Sequence, residues 1–550
     1  MVDEDATGIA PASSASQPRV TAYSYYVLIL LMVIYAFNFL DRQIITILAP
    51  SLQADLGLTA AQIGLLFGTA FALFYALFGI PLAKLADGWN RVKTISLGLS
   101  FWSAMTAASG FAGNFAQLGA ARVGVGIGEA SASPAAYSLI QDYFPKAKRA
   151  TALAIYSAGI YLGVGASLAL GGAVIAYWDS HYTPATQPYG LAGWQATFLA
   201  FGIPGLILAL VILLTVREPV RGAMDAVVQD AVDPRPFRAV GREFAAMFPP
   251  TSILGLARRA DSNRPAVINL GVLVAVIVGA ALVVAFTDGL LPPERRPVLA
   301  QWGGFALTTN VVQWTAIAIG IYCSFSWLQS QRQRDPVASR LIGNPTFGAL
   351  ALAGGLASFS SYGISPFLYL YAVERFGVGP EAGATLGWIL AFAGGLGTFA
   401  GGYLSDHARR VHPAGRLYVV ILALIGSAGL LVVMMTTDRL NIYYAMLGGV
   451  SFLQIMWLAP AAASTQDLVV PRMRGTATAV FFLGTNIVGL GLGPYVVGLV
   501  ADVTQDMRTA MLSVLFVAPV TIGLFAFASS RLPRMEASVV ERARAAGEPI

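Results

Sequence analysis

Asp41, Arg42, Arg122 and Glu129 lie deep inside apolar stretches long enough to cross a membrane, and no other Asp, Glu, Lys or Arg sits so far from the end of such a stretch. Holding one such charge at mid-bilayer depth costs about 2.5–3.5 kcal/mol on insertion scales, so each must face a polar cavity, pair with another, or line a path for a solute or proton. Two acids and two arginines suit two kinds of chemistry. An arginine presents a fork of donors to an anionic head group, and Arg42 or Arg122 is expected to do so. A desolvated carboxylate beside an arginine can exchange that partner for a proton, which is the role expected of Glu129, with Asp41 as a second acid. Arg122 and Glu129 are two helical turns apart and project from nearly one face. Asp41 and Arg42 are adjacent, diverge by ~100°, and cannot both address one partner. The reading without chemistry is a set of ion pairs that merely register one helix against another.

The second half of the chain has no charge so deep in its spans. It offers Ser358, Tyr362, Ser365 and Tyr369 down one helical face, interrupted by Gly363 and Pro366; such breaks are tolerated where a helix lines a cavity. Gln454 and Asn486 are expected on the same wall. Aromatics at this spacing serve equally as packing. A cavity charged on one side and aromatic on the other suits an amphipathic solute. His181, His407 and His412 read as loop residues, which leaves carboxylates as the proton carriers. No spacing for a metal cluster, a nucleophile triad or a phosphate loop is visible. Gly124, Gly126 and Gly128 lie within an apolar helix with no strand before it, so they point to close helix packing, as do Gly159 with Gly163 and Gly489 with Gly493. No cofactor, no metal and no enzyme activity are expected.

The elements that must position these residues are membrane helices. The chain has 550 residues, 56% hydrophobic and 11% charged, far from the balance of a soluble globular protein. Apolar runs able to cross ~30 Å of hydrocarbon fall at 24–50, 60–86, 93–112, 116–141, 150–178 and 194–216, and six more at 345–373, 381–405, 416–436, 442–466, 475–501 and 509–530. Two further runs, 267–286 and 305–328, lie between the sixes. The expectation is an all-α polytopic membrane protein of 14 transmembrane helices, two six-helix bundles plus an inserted hairpin. With the N-terminus in the cytoplasm, the outer loops hold only Arg295, Arg296, Arg375, Arg439 and Arg508 of the 34 Lys and Arg. That asymmetry is the positive-inside pattern. The net charge of +6 is then a topology signal and calls for no nucleic-acid partner.

The chain divides into a cytoplasmic tail (1–22), a first bundle (23–217), a basic cytoplasmic linker (218–265), the hairpin (266–329), a short linker (330–344), a second bundle (345–531) and a cytoplasmic tail (532–550). Within the basic linker, FRAVGREFAAMF carries Phe237, Val240, Phe244 and Phe248 at near-helical spacing, the mark of an interfacial amphipathic helix; a disordered basic connector is the alternative. The lone Cys323 can close no intrachain disulfide. The first 20 or so residues lack the basic start and apolar core of a cleaved signal. Four lysines against thirty arginines point to a GC-rich bacterial genome and an inner membrane.

The two sixes are punctuated alike. GIPLAKLADGWNRVK and AGGYLSDHARR each place an acid, Asp87 or Asp406, at a cytoplasmic helix end with Arg91 or Arg409 close behind. Asp142 and Asp467 each precede an arginine, Arg149 or Arg474, by seven residues. Two copies of one design explain this. These eight residues are expected to form a cytoplasmic gate, with acids at helix N-termini and arginines as partners; solvated ion pairs worth about 0–1 kcal/mol each are the alternative.

This layout resembles the major facilitator superfamily, whose signature loop the second-to-third-span segment is similar to, with Gly88, Asn90 and Ala83 as departures. More narrowly, NFLDRQIITILAP and ARVGVGIGEASASPAAYSLIQDYFP resemble the Spinster-like transporters, and TALAIYSAGIYLGVGAS, GWQATF and GLGLGPYVVG continue the likeness. The resemblance implies alternating access by two rocking bundles around a central site, and lysolipid-like or sphingoid phosphate substrates. The reading is a monomeric, proton-coupled secondary transporter of a small amphipathic anion or zwitterion, in contact with lipid and protons alone. Uptake of a small organic anion such as a sugar acid is the nearest alternative, and a membrane sensor or scaffold that transports nothing is the alternative of another class.

Overall fold

A computed structural model of the chain describes residues 20–222, 224–225, 235–259 and 262–549. Most of the expected N-terminal tail and residues 226–234 of the basic linker lie outside these. The first bundle runs α1 (Ala22–Leu56), α2 (Ala60–Phe67), α3 (Thr69–Gly88), α4 (Arg91–Ser109), α5 (Phe115–Glu129), α6 (Ala132–Tyr143), α7 (Lys146–His181) and α8 (Gly193–Thr215). Polar side chains start several of these helices. Thr21 and Thr59 each form a reciprocal capping box with the residue three further on, and Asn90 and Asn114 accept from backbone N–H groups of the first turn. The second expected span is α2 and α3 joined at Gly68. The fourth is α5 and α6, broken immediately after Glu129.

The basic linker holds α9 (Pro236–Met247) and α10 (Thr251–Arg259), so the amphipathic helix expected over FRAVGREFAAMF is present. Phe244 packs edge-on against Phe78 of α3 at 5.0 Å between ring centres, and Phe237 meets Trp89 at 5.5 Å. The hairpin is α11 (Arg264–Gly289) and α12 (Thr309–Arg334). Between them β1 (Val298–Trp302) and β2 (Phe305–Thr308) pair antiparallel, a small sheet that the all-helical reading did not anticipate. The short connector α13 (Pro336–Ile342) leads into the second bundle. That comprises α14 (Pro345–Ile364), α15 (Leu368–Phe376), α16 (Ala382–Val411), α17 (Gly415–Thr436), α18 (Leu440–Ile455), α19 (Leu458–Gln466), α20 (Arg474–Gly484), α21 (Gly493–Thr504), α22 (Met507–Leu512) and α23 (Ala518–Ala537), followed by α24 (Val539–Ala545). His181 and His407 lie in the last turns of α7 and α16 rather than in loops.

Among the described residues, twelve helices are long and apolar enough to cross a membrane. The other two expected spans, α4 and the α5–α6 pair, occupy the third and fourth places in the first bundle without meeting that criterion. The fourth carries Arg122 and Glu129 and is broken at mid-length. Twelve of the fourteen expected spans thus meet the length and apolarity of a membrane crossing.

The bundles meet at the end remote from the basic loops. There α2 lies on α21 so closely that a Cβ on Gly64 would sit 2.2 Å from the Pro494 carbonyl oxygen, and one on Gly498 would sit 2.2 Å from that of Ala60. Asp502 of α21 accepts from the Ala60 and Ala61 N–H groups at 3.0 and 3.0 Å, so a carboxylate of one bundle caps a helix N-terminus of the other. On the opposite flank Gly165, Gly172, Gly383 and Gly387 bring α7 and α16 into backbone contact. At the basic end, every ion pair among the described residues lies on one side of the molecule or within the linkers, and none joins the two bundles.

These contacts give a first expected outcome. Gly498→Val forces a side chain into the Ala60 backbone, and overpacking of this kind costs about 1–3 kcal/mol. Spin-label distances between the far ends of the second and eleventh spans should lengthen relative to the unsubstituted protein.

Candidate functional site

The four charges are held by α1, α5 and the helices packed on them. Residues 38 and 40–49 of α1 are all buried. The divergence of Asp41 from Arg42 around the helix sends them to different partners. Arg42 turns toward α5, where its Nη2 donates to Glu129 Oε2 at 3.1 Å and lies 3.4 Å from Asn38 Oδ1. Its guanidinium rests over the rings of Phe39, Phe71 and Tyr75, 4.6, 4.3 and 5.1 Å from their centres. Glu129 is fully buried and Arg42 is 5% exposed. A pair at this distance in low dielectric is strongly coupled, and breaking it would strand a charge.

Asp41 turns to the other side, toward Trp102 and Thr106 of α4. Neither of its carboxylate oxygens has a hydrogen bond within 3.5 Å, and Trp102 Nε1 and Thr106 Oγ1 are likewise unpaired. Arg122 is fully buried and spends its donors on backbone: Nη1 to the Asp41 carbonyl at 2.9 Å and Nη2 to that of Arg42 at 3.5 Å. Arg122 was expected, as an alternative to Arg42, to be a fork for an anion. In this conformation it instead staples α5 to α1 through those two carbonyls.

The opposite wall is only partly as expected. Tyr362 is half-buried and within electrostatic reach of Arg42. Ser365 Oγ donates to Gln43 Oε1 at 3.4 Å, a polar contact between the bundles beside the charges. The break at Gly363 and Pro366 is real: α14 ends at Ile364, a tight turn covers Ser365–Phe367, and α15 restarts at Leu368. The stripe does not continue as one surface to either side of Tyr362. Tyr369 is buried in the apolar core, and Ser358 is closed off against Gly489. Gln454 lines a cavity of about 30 Å³ inside the second bundle, with Ser360 and Ser427, and so does not join the wall. Asn486 is half-buried in a π-helical stretch at Thr485–Leu492. The reading of the charges missed Asn38, Phe39, Phe71 and Tyr75. Asn38 was legible as an amide in an apolar helix one turn before Arg42; the rings had no such signal. On the lipid side of the first bundle an apolar groove of about 530 Å³ runs past Phe37, Leu40, Leu170, Tyr177 and Phe201.

Five of the eight residues at the basic end enter two similar clusters that do not bridge the bundles, Arg91 and Asp142 in one and Asp406, Arg409 and Asp467 in the other. In the first, buried Arg91 pairs with Asp142 and with Glu218 at 2.6 Å, and also donates to Ser138 Oγ at 2.9 Å and to the Pro219 carbonyl at 3.0 Å. In the second, Arg409 pairs with Asp467 at 2.9 Å and with Glu536, while Arg416 bridges Asp467 and Asp406 at 2.8 and 2.9 Å. Glu218, Arg416 and Glu536 complete sets that the sequence reading held only in part. The expected Asp87–Arg91 partnership is not made. Asp87 is exposed and lies 3.9 Å from Lys84, because Arg91 is drawn inward by two carboxylates. Arg149 donates to the Gln141 and Phe144 carbonyls and pairs with Asp225 at 3.0 Å, and that hydrogen bond holds the Asp225 carboxyl below the usual carboxylate range. Arg474 is exposed. The clusters fasten helix ends inside each bundle; a gate between bundles is not formed in this conformation.

This fold, two matching helical bundles with a buried ionic site in the first, is that of a membrane transporter. The family profile of the Major Facilitator Superfamily matches residues 31–494, and the chain belongs to that family. It is 25% identical to an MFS-type efflux pump of Mycolicibacterium smegmatis over 94% of this chain and 94% of that protein. It is 28% identical to a probable L-galactonate transporter of Escherichia coli over 36% of this chain and 43% of that protein. Among solved structures it is similar to a bacterial homologue of the human lysosomal transporter Spinster in an inward-facing, unoccupied conformation, with TM-score 0.67 and 26% identity over 94% of this chain and 98% of that one. The Spinster-like resemblance of the first and fourth spans therefore extends to the whole fold.

The basal clusters make a sharp contrast testable. Asp142→Asn leaves buried Arg91 with one carboxylate fewer and should lower thermal stability by about 1.5–3 kcal/mol. Asp87→Asn, on an exposed and distant pair, should stay within about 0.5 kcal/mol of the unsubstituted protein. Thermal unfolding in detergent compares them directly.

Proposed function

We propose that this transporter moves an amphipathic anion or zwitterion in exchange for or together with protons, and that the Arg42–Glu129 pair is the coupling element. The observation that carries the reading is that pair itself: a 3.1 Å contact, buried, between helices that move with one bundle and opposite the Tyr362 wall of the other. A proton arriving on Glu129 removes the negative charge that holds Arg42. The guanidinium is then free to turn from its aromatic seat to an anionic head group, which replaces the lost carboxylate charge for charge. Release of the anion and of the proton restores the pair. Asp41, whose carboxylate has no hydrogen bond within 3.5 Å in this conformation, is the second group able to hold a proton. Arg122 acts as a positioning residue, keeping α1 and α5 in register while Arg42 changes partner.

With the basic end taken as cytoplasmic, the close backbone contact of the bundles at the far end, and the lack of an ion pair between them at the basic end among the described residues, support an inward-facing state; the distribution of arginine supports a bacterial inner membrane with both termini in the cytoplasm. The intra-bundle clusters let each bundle rock as a rigid body. A lipid-like cargo is what the Spinster-like resemblance implies, and the aromatic rings and apolar groove that flank the charges suit it. The second reading, a small organic anion such as a sugar acid, is supported by the relatives with sugar-acid transport in their names.

In liposomes with an imposed pH gradient, Glu129→Gln should reduce cargo flux to the protein-free background, whereas Asp87→Asn should retain it. Gradient-driven flux through Glu129→Gln would remove Glu129 from the mechanism. A thermal-shift comparison decides the cargo class: a true ligand at a hundredfold excess over its Kd adds about 2.7 kcal/mol. Lysophospholipids should give that shift and hexuronates should not, and Arg42→Ala should abolish it.

A further inference from the structure

The inserted hairpin is the element that the transport reading leaves without a task. Its two helices are not alike. Only 6% of the apolar window of α11 is buried, so that helix faces lipid almost all round, and it holds α12 through Asn269, which bonds Ser326, Gln329 and the Tyr322 hydroxyl. α12, by contrast, lies along the seam where the second span meets the eleventh and touches both bundles. From the first bundle, Gln62 Nε2 donates to Thr309 Oγ1 at 3.2 Å, and Gly320 packs so tightly that a Cβ there would lie 2.7 Å from Leu73 Cδ1. From the second, the Tyr495 hydroxyl donates to Asn310 Oδ1, and Gln313 Nε2 donates to the Gly491 carbonyl at 3.2 Å. That carbonyl lies in the π-helical stretch, where the wider turn frees main-chain groups; Thr69 Oγ1 of α3 also donates to it.

Toward the basic end the seam closes over an apolar cluster drawn from both sides, with Leu73, Ala76 and Leu77 of α3, Leu483 of α20, and Tyr322, Cys323 and Trp327 of α12. The inner end of α12 is fastened to the linker helix α9. Trp327 Nε1 and Arg334 Nη1 both reach Glu243, at 3.1 and 2.6 Å, and Ser326 Oγ donates to the Ala246 carbonyl at 2.9 Å.

We propose that α12, held by α9 and screened from lipid by α11, is a lateral seal that closes the route from the bilayer into the space between the bundles along the seam of the second and eleventh spans. Helix association within lipid gains little from hydrophobic burial, so a seam stays shut through close packing and interhelical hydrogen bonds, the two kinds of contact that α12 makes with each bundle. The seal rejects lipid entering sideways along this seam, so cargo reaches the site by another route, such as the aqueous mouth. The ties are few and made by side chains, so they can be exchanged when the bundles rock.

The test uses the full-length protein in liposomes, with Cys323→Ser to remove the one native thiol and Tyr362→Cys as a reporter on the wall of the site. A long-chain alkyl maleimide dissolved in the bilayer should alkylate the reporter slowly. Trp327→Ala combined with Gln313→Ala should speed that alkylation about tenfold, equivalent to about 1.4 kcal/mol of lost sealing. Gln313→Ala alone, which is milder and keeps the fold, should give a smaller change in the same direction. A charged, membrane-impermeant maleimide should react with all of them equally. No acceleration with the alkyl reagent in either variant, or equal acceleration with the charged one, would overturn the proposal. The readout needs neither cargo nor a proton gradient, so it stands apart from the outcome of the flux experiments.

Discussion

An arginine and a glutamate facing one another inside a membrane are the constraint around which the first bundle is arranged. Neither can be left alone in a medium that solvates charge so poorly, so α1 and α5 must be kept at one separation and one rotation. Three devices maintain that geometry. Arg122 ties the two helices through backbone carbonyls of α1. Gly126 and Gly128 let α5 press onto Phe71 of α3 and Trp102 of α4, where a Cβ would lie 2.6 and 2.8 Å from their atoms. Three aromatic rings then close over the guanidinium and exclude water from the pair.

The same economy of charge operates at the basic end, in duplicate. Arg91 with Asp142 and Glu218, and Arg409 with Asp467 and Glu536, each gather the ends of three spans of one bundle. Bundles stiffened from within in this way can move against each other without losing their own packing. What joins them is of a different kind: backbone contacts at small residues, one carboxylate capping a helix of the other bundle, and scattered side-chain hydrogen bonds. Such contacts are specific in geometry and easily exchanged. That combination is what a two-state transporter requires.

Much of the plan was legible in the sequence. Apolar runs located the twelve helices long and apolar enough to cross a membrane, the inserted pair among them, and FRAVGREFAAMF declared its helix through spacing alone. The depth of Asp41, Arg42, Arg122 and Glu129 marked the site because so few charges are tolerated there. The doubled acid and arginine spacing announced the basal clusters. Glu218, Arg416 and Glu536 escaped notice because they sit outside the repeated motif, and the short β1–β2 ladder because it lies in a loop between two strong helical signals.

Partner choice lay beyond the sequence. Arg42 takes Glu129 across 87 residues of chain, while Arg122, on the same face of α5 as that acid, turns to backbone instead. Arg91 passes over nearby Asp87 for Asp142 and Glu218. Beyond the kink at Ser365–Phe367, Tyr369 lies in the core while Tyr362 stays on the wall, and the rotation of α18 takes Gln454 into the second bundle. Residue type and periodicity determine what must be buried and on which stripe of a helix. Which buried group meets which depends on the separation and rotation of helices distant in the chain, and those are set only when all of them pack together.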